Sequence, residues 1–221
     1  MVNTKPEERY YSLDSMVMYY LPIGGGTAKA VNAKAPLDAN AVNSGSWVKD
    51  GYVYNKDIKL SGDDYNYTTG AGHLLLKDGK TIQLNKTGIY EIVNFGTDKL
   101  AYVDAKGKTS VATIAKNKVT STKPVSVTDA GYIRNLISGG KVKSTVVFAS
   151  SGAYVLNNDL TTKKLVGVEW DYCTYKENVP GIFYINAGDN QRLYLMNEDG
   201  KSTVKLTDDK INRIVLIHKA Q

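Results

Sequence analysis

The chain is poor in the residues that build most catalytic and metal centres. It has one cysteine, Cys173, and two histidines, His73 and His218, among 221 residues. A single cysteine excludes an internal disulfide framework and a thiolate metal cluster. Two histidines far apart in sequence make no His-Glu-x-x-His zinc motif. We therefore expect no metal and no other cofactor. The near-absence of cysteine suits a cytoplasmic protein and a surface protein equally.

Arginine is also scarce, although the chain is basic. The formal net charge is +6 and the isoelectric point is near 9.1, but lysine supplies nearly all of the positive charge. Base recognition and bidentate phosphate contacts depend on arginine. The lysines are spread along the chain, as expected for a solvated surface that keeps a β protein soluble. We therefore expect no nucleic-acid partner.

Long hydrophobic runs are missing as well. No segment approaches the roughly 18 apolar residues that a membrane helix requires, so we expect no membrane span. The first nine residues lack the apolar core of a signal peptide. A trimmed form of a secreted protein would look the same, so this absence does not separate the two settings.

Helix signals are poor, whereas strand and turn residues are abundant. Tyrosine occurs 16 times and glycine 20 times, and short apolar runs alternate with Asp-Gly, Gly-Gly and Asn-Asn turns. Tyrosine, valine and threonine favour strands, and glycine, asparagine and aspartate favour tight turns. The pattern predicts an all-β fold built from hairpins.

One hairpin pattern recurs five times, as an apolar run, a turn and a lysine-bearing run. The copies are residues 18–29, 74–84, 100–109, 153–165 and 193–206. Glycine-led strand openers form a second marker, at Gly51, Gly88, Gly131 and Gly181. Both markers recur at a mean interval of about 43 residues, within the range of four-stranded propeller blades.

These intervals predict a single five-bladed β-propeller of antiparallel blades over residues 1–221. Its repeats would be residues 9–50, 51–87, 88–130, 131–180 and 181–221. A strand over residues 10–13 has no partner before it, and a strand over residues 213–217 has no opener after it. We expect these N- and C-terminal strands to pair and close the ring, because closure removes exposed sheet edges.

The last repeat carries a family resemblance. Residues 181–186 (Gly-Ile-Phe-Tyr-Ile-Asn), 192–201 and 204–210 resemble repeats of bacterial propellers of the low-density-lipoprotein-receptor-related-like family, and more generally TolB-like propellers. Such repeats occur in surface proteins of Gram-positive anaerobes, and their functions are unknown. The resemblance implies an extracellular or cell-surface binding module, with no established catalytic residues to transfer.

The sequence offers no catalytic constellation. Gly-x-Ser-x-Gly does not occur, and most acidic clusters lie at turn positions, where aspartate bonds its own backbone. We predict a monomeric, non-catalytic module that binds a protein or a cell-wall glycan through its loops. The candidate ligand-binding residues combine aromatic rings with polar neighbours: Tyr65, Tyr67, Trp170, Asp171 and Tyr172. Two alternatives remain open, a glycan hydrolase with carboxylates at the central channel and a structural spacer.

Overall fold

Two compact units make up the protein, and each is described by itself. One comprises Met1–Lys106 with Ala112–Lys123, and the other comprises Gly107–Val111 with Pro124–Gln221. The structure is a computed structural model. It describes residues 2–3, 16–20, 26–33, 37, 45–56, 59–61, 66–68, 70–138, 140–166, 170–174, 181–197, 202–212 and 214.

The first unit begins with two short antiparallel ladders. Strand β1 (Val2–Asn3) pairs with β2 (Met16–Val17), and β3 (Tyr19–Tyr20) pairs with β4 (Lys29–Ala30). The buried Asn32 side chain ties this segment together. Its Oδ1 accepts the Met18 amide proton at 2.6 Å, and its Nδ2 donates to the Met16 carbonyl at 3.0 Å.

The first four-stranded sheet also belongs to this unit. It contains β5 (Ser46–Val48), β6 (Gly51–Asn55), β9 (Gly72–Leu76) and β10 (Thr81–Gln83), in the order β10-β9-β6-β5. A separate hairpin, β7 (Lys59–Ser61) with β8 (Asn66–Thr68), is inserted between its second and third strands. The inner strands β6 and β9 are buried almost throughout, whereas β10 has an exposed, polar face.

The second sheet follows the chain without an insertion. Its strands are β11 (Ile89–Phe95), β12 (Lys99–Asp104), β13 (Thr109–Ala115) and β14 (Lys118–Pro124), in that order. The first and second sheets share one apolar core in the first unit. Its members are Val48, Val53, Leu74, Leu76, Leu84, Ile89, Ile92, Leu100, Tyr102, Ala112 and Ile114.

The second unit holds two more four-stranded sheets. One runs β15 (Ala130–Ser138), β16 (Lys141–Ala149), β17 (Gly152–Leu156) and β18 (Thr162–Val166). The other runs β19 (Trp170–Thr174), β20 (Ile182–Asn186), β21 (Arg192–Met196) and β22 (Thr203–Lys205), with a 3-10 turn at Ala187–Asp189 after β20. Their shared core comprises Leu136, Val146, Phe148, Ala153, Ile182, Tyr184 and Met196.

The all-β prediction is confirmed, and all five predicted hairpins are antiparallel strand pairs. Within the described ranges the 3-10 turn is the only helix, and none is long and apolar enough to cross a membrane. The turn after β9 shows why the sequence folds this way. Asp78 Oδ1 accepts the Lys80 amide proton at 3.0 Å, and Gly79 adopts φ +86°, a backbone conformation that favours glycine.

The prediction of a five-bladed closed ring is wrong. The described residues form four sheets of four strands, and none of these sheets is closed. The predicted N-terminal strand at residues 10–13 lies outside the described residues, and the described strand Val2–Asn3 pairs with Met16–Val17. The predicted C-terminal strand at residues 213–217 lies outside the described residues apart from Ile214, which is not in a strand.

The sequence markers failed because they fell on different turns of the repeat. Gly79 lies between the third and fourth strands of its sheet, whereas Gly107 lies between the second and third. The turn in the second sheet that corresponds to Gly79 is Lys116-Asn117, where both residues have positive φ and neither is glycine. The inserted β7–β8 hairpin then lengthens the first repeat. The mixed turns and the insertion account for the uneven spacing of the markers, and the hairpin counted at residues 18–29 forms only the two-stranded ladder of β3 and β4.

Candidate functional site

An exposed tryptophan lies on the edge strand of the first sheet. Trp47 is the middle residue of β5, pairs with Tyr52 across the ladder, and leaves 59% of its surface open to solvent. Its ring meets the Tyr52 ring edge-on, with centroids 5.0 Å apart and planes at 63°. This is a favoured aromatic geometry, and it orients the indole without burying it.

Tyr52 is the fixed base on which Trp47 rests. It is only 6% exposed, and its hydroxyl accepts a hydrogen bond from the Gly45 amide. Burial raises the pKa of the Tyr52 hydroxyl, and the Gly45 bond partly opposes that rise. A Cβ at Gly45 would lie 2.4 Å from the Tyr52 ring, so only glycine allows the backbone to pass this close.

An apolar cleft opens beside the indole. It is shallow, with a cavity volume of only about 10 Å³, and is lined by Met18, Val31, Trp47, Gly51, Tyr52, Leu75 and Lys77. Six of these residues offer carbon surface, and Lys77 places one cation at the rim. The cleft and the exposed indole form one surface, which we call the Trp47 face. It suits an apolar side chain better than a substrate that needs several directed polar contacts.

The structure leaves the sequence-predicted binding residues only partly placed. Trp170, Asp171 and Tyr172 lie in β19, the edge strand of the fourth sheet, and Tyr67 lies in β8 of the inserted hairpin. Tyr65 falls outside the described residues. Tyr67 belongs to the first unit and the β19 residues to the second, and their grouping into one site stays a prediction.

Strand register relates Tyr172 to a residue whose side chain is described. The first strand of the third sheet shifts register between Ala130 and Tyr132, and β19 shifts between Trp170 and Tyr172. Tyr132 and Tyr172 therefore occupy corresponding backbone positions, each after a shift in strand register. Tyr132 is exposed, with the Arg134 guanidinium 5.7 Å from its ring centroid.

Comparison with known proteins adds a likeness in fold alone. No family model and no curated protein matches the chain. Fifteen solved chains match it in structure. One is the crystal structure of Citrobacter koseri AztD, with a TM-score of 0.50 and 12% sequence identity over 85% of this chain. The match covers 51% of AztD, so the chain spans about half the length of that protein.

A polar network occupies the 3-10 turn end of the fourth sheet. Asp189 accepts hydrogen bonds from the Tyr194 hydroxyl and, at 2.8 Å, from Arg192 Nη1. Arg192 Nε donates to the Asp208 carbonyl at 3.1 Å, and Lys205 pairs with the Asp208 carboxylate. The Tyr194 ring stacks on the buried Tyr184 ring at 5.5 Å. The network ties the 3-10 turn and Asp208 to the sheet, and each of its four charged side chains has a partner of opposite charge.

The Asp189 contacts predict a pH-dependent stability. The Tyr194 hydrogen bond, followed by the Arg192 charge, lowers the pKa of Asp189. A carboxyl with a lowered folded pKa stabilises the fold above its unfolded value of about 3.9, and that contribution disappears as pH falls through the folded pKa. We expect Asp189→Asn to lower the thermal midpoint at pH 6, and the deficit to shrink steadily below about pH 3.9. Thermal unfolding by circular dichroism between pH 6 and 2.5 measures this. A deficit that stays constant across this range would contradict the assignment.

In the described part of the chain, the side chains that could bind a metal ion are not clustered. The described residues contain no group of three or more histidine, cysteine, aspartate or glutamate side chains that could hold a metal ion. His73 stacks on Tyr54 at 5.7 Å, within the first sheet, which is a structural role. The strongest functional feature of the described residues is therefore the Trp47 face. Trp47 is not among the candidate residues that the sequence predicts. The missed signal was a tryptophan between Ser46 and Val48 in a short edge strand.

Proposed function

We propose that the chain is a non-catalytic binding module that holds a protein ligand at the Trp47 face. The observation that carries the proposal is an indole 59% exposed but held in a defined orientation by the buried Tyr52. Aromatic rings that supply a large contact area at low entropic cost are enriched among residues that dominate binding energy. The shallow apolar cleft beside the indole extends the surface against which an apolar side chain of a ligand can pack.

The lining of the cleft favours a protein over a glycan. Sugar hydroxyls that lose water need replacement hydrogen bonds, and unpaired polar groups cost free energy. Among the residues that line this cleft, the polar side-chain groups are those of Lys77, the Trp47 indole nitrogen and the Tyr52 hydroxyl, which already bonds the Gly45 amide. An apolar side chain of a protein segment needs none. We therefore propose a segment with a leucine-, methionine- or phenylalanine-like anchor.

The proposed cellular setting rests on the resemblance of the last repeat to the repeats of bacterial surface propellers. The Gly-Ile-Phe-Tyr-Ile-Asn segment at 181–186 and the hairpin at 192–201 support placement in a secreted or cell-surface protein. This setting remains a prediction. The Trp47 face does not depend on it, because the face would bind a ligand of the same chemistry in any compartment.

Replacement of Trp47 by alanine should abolish most ligand binding. A phage-displayed library of random twelve-residue peptides, selected on the full chain, supplies the probes. We expect the selected peptides to share an apolar anchor and to bind Trp47→Ala at least tenfold more weakly, because removal of a central aromatic residue commonly costs about 2 kcal/mol or more. Fluorescence anisotropy of labelled peptides measures the dissociation constants.

Tyr90→Ala is the matched control for that experiment. Tyr90 also lies on the first strand of a sheet in the first unit and is also 59% exposed, so its removal alters a similar aromatic area. We expect binding to Tyr90→Ala to stay within about twofold of the original, since a residue outside the ligand contact contributes little. Peptides that bind both variants equally well would overturn the proposal. A glycan array hit that depends on Trp47, without peptide binding, would replace the protein ligand with a sugar.

A further inference from the structure

Most of the net positive charge of the chain is concentrated in one segment. Residues 105–128 contain no aspartate or glutamate and five lysines: Lys106, Lys108, Lys116, Lys118 and Lys123. The whole chain has a formal charge of only +6. The lysines themselves are spread along the whole chain. The positive segment becomes evident only from the absence of acidic residues between its lysines.

The last three of these lysines lie on or beside an exposed edge strand. Strand β14 is the terminal strand of the second sheet, and six of its seven residues are exposed. It is longer than β10, β18 and β22, the corresponding edge strands of the other sheets. Half of the backbone groups of an edge strand point away from its neighbour and can pair with another chain.

The strand is held firmly on its inner side. Val119 packs against the core of the first unit, and the hydroxyl of Thr120 donates to the Thr113 carbonyl at 3.3 Å. The Ser121 hydroxyl donates to the Thr113 hydroxyl at 3.2 Å. A strand fixed in this way is already ordered, so a partner strand does not have to order it on binding.

We propose that β14 binds an extended acidic peptide segment by strand addition. Main-chain hydrogen bonds to the open edge supply affinity, and Lys116, Lys118 and Lys123 attract carboxylates along the added strand. The same lysines repel a second copy of β14, and Pro124 ends the edge where pairing would otherwise continue. Charge therefore selects an acidic strand from other extended segments.

The acidic side chain bonded to the turn before β14 does not neutralise the positive charge of this edge. Asp78 accepts a hydrogen bond from Asn117 Nδ2 at 3.2 Å, at the turn that precedes β14, and it also pairs with Lys80 at 3.3 Å. Its charge is thus shared with a lysine of the first sheet. The exposed residues of β14 itself are lysine, threonine, serine and proline.

A defined pair of peptides tests the proposal on the full chain. The probe is a fluorescently labelled nine-residue peptide in which glutamates alternate with valines, and the control is the same peptide methylated at every backbone nitrogen. Both have the same charge, but only the first can donate main-chain hydrogen bonds. We expect the methylated peptide to bind at least tenfold more weakly at physiological salt, and the unmodified peptide to slow amide exchange in residues 118–123.

Two double variants locate the charges. Lys118→Glu with Lys123→Glu should weaken peptide binding at least tenfold, whereas Lys141→Glu with Lys143→Glu should change it by less than about threefold. The second pair makes the same charge change on exposed positions of β16. Equal binding of the methylated peptide, or equal effects of the two double variants, would overturn strand addition. Heparin binding that requires Lys118 and Lys123, without peptide binding, would also overturn it and assign the edge to an anionic polysaccharide.

Discussion

Replacement of Asn55 by leucine should destabilise the first unit by about 2–6 kcal/mol, the largest effect we expect from a polar residue. Asn55 is 2% exposed at the end of β6. Its Nδ2 donates to the Ile89 carbonyl at 2.7 Å, and its Oδ1 accepts the Ile89 amide proton at 2.7 Å. The side chain therefore acts as one more strand partner, and it connects the first sheet to the first strand of the second.

Leucine has the same branched shape and the same number of side-chain heavy atoms but can satisfy neither Ile89 group. Each buried donor or acceptor left without a partner costs about 1–3 kcal/mol, and two are lost here. Urea unfolding measures the loss in unfolding free energy, and hydrogen exchange of residues 51–95 shows that the loss falls in this part of the chain. Asn157→Leu is the control, because the Asn157 side chain bonds locally to Thr161 in an exposed turn. We expect about 1 kcal/mol or less there. Equal losses in the two variants would contradict the role assigned to Asn55.

Replacement of Gly51 by alanine should be almost as damaging. A Cβ at Gly51 would lie 2.0 Å from the Leu75 carbonyl oxygen, and that oxygen belongs to the neighbouring strand β9. Backbone cannot rotate away as the end of a flexible side chain can, so the ladder between β6 and β9 must separate. We expect a loss of about 3 kcal/mol or more, at the upper end for overpacked sites.

Gly131→Ala provides the matched control for Gly51. A Cβ at Gly131 meets nothing within 4 Å, and Gly131 likewise lies in a strand. We expect its unfolding free energy to change by no more than about 0.5 kcal/mol. Thermal and urea unfolding of both variants decide the matter. A Gly51→Ala protein as stable as Gly131→Ala would show that β6 does not approach β9 as closely as described.

The strands and their turns could be predicted well from the sequence, but the pairing of strands from distant parts of the chain could not. Local rules identified the Asp78-Gly79 turn and the strands beside it, because turn residues and alternation act over a few positions. Local rules could not show that Gly107 and Gly79 lie in different turns of the repeat. Nor could they show that the β7–β8 hairpin is an insertion. Both facts depend on which strands pair, which separated parts of the chain decide together.

The candidate site shows the same limit. The acidic neighbours of Trp170 predict a binding loop, whereas the chain there forms the edge strand β19. Trp47 looked like an ordinary strand residue. Its exposure follows from the position of β5 at the edge of the sheet and from the Tyr52 ring beneath it. Alternation along a strand does not show whether another layer covers a given face.

The most direct test of the account is the fluorescence of Trp47 during binding. The chain has two tryptophans, so Trp170→Phe leaves Trp47 as the only indole. Titration with the tightest peptide from the library should shift its emission to shorter wavelength and reduce its quenching by acrylamide, because the ligand covers the indole. The account predicts these changes together with an affinity close to that of the unmodified chain. Unchanged emission at saturation, or loss of binding on Trp170→Phe, would contradict it and place the ligand away from the Trp47 face.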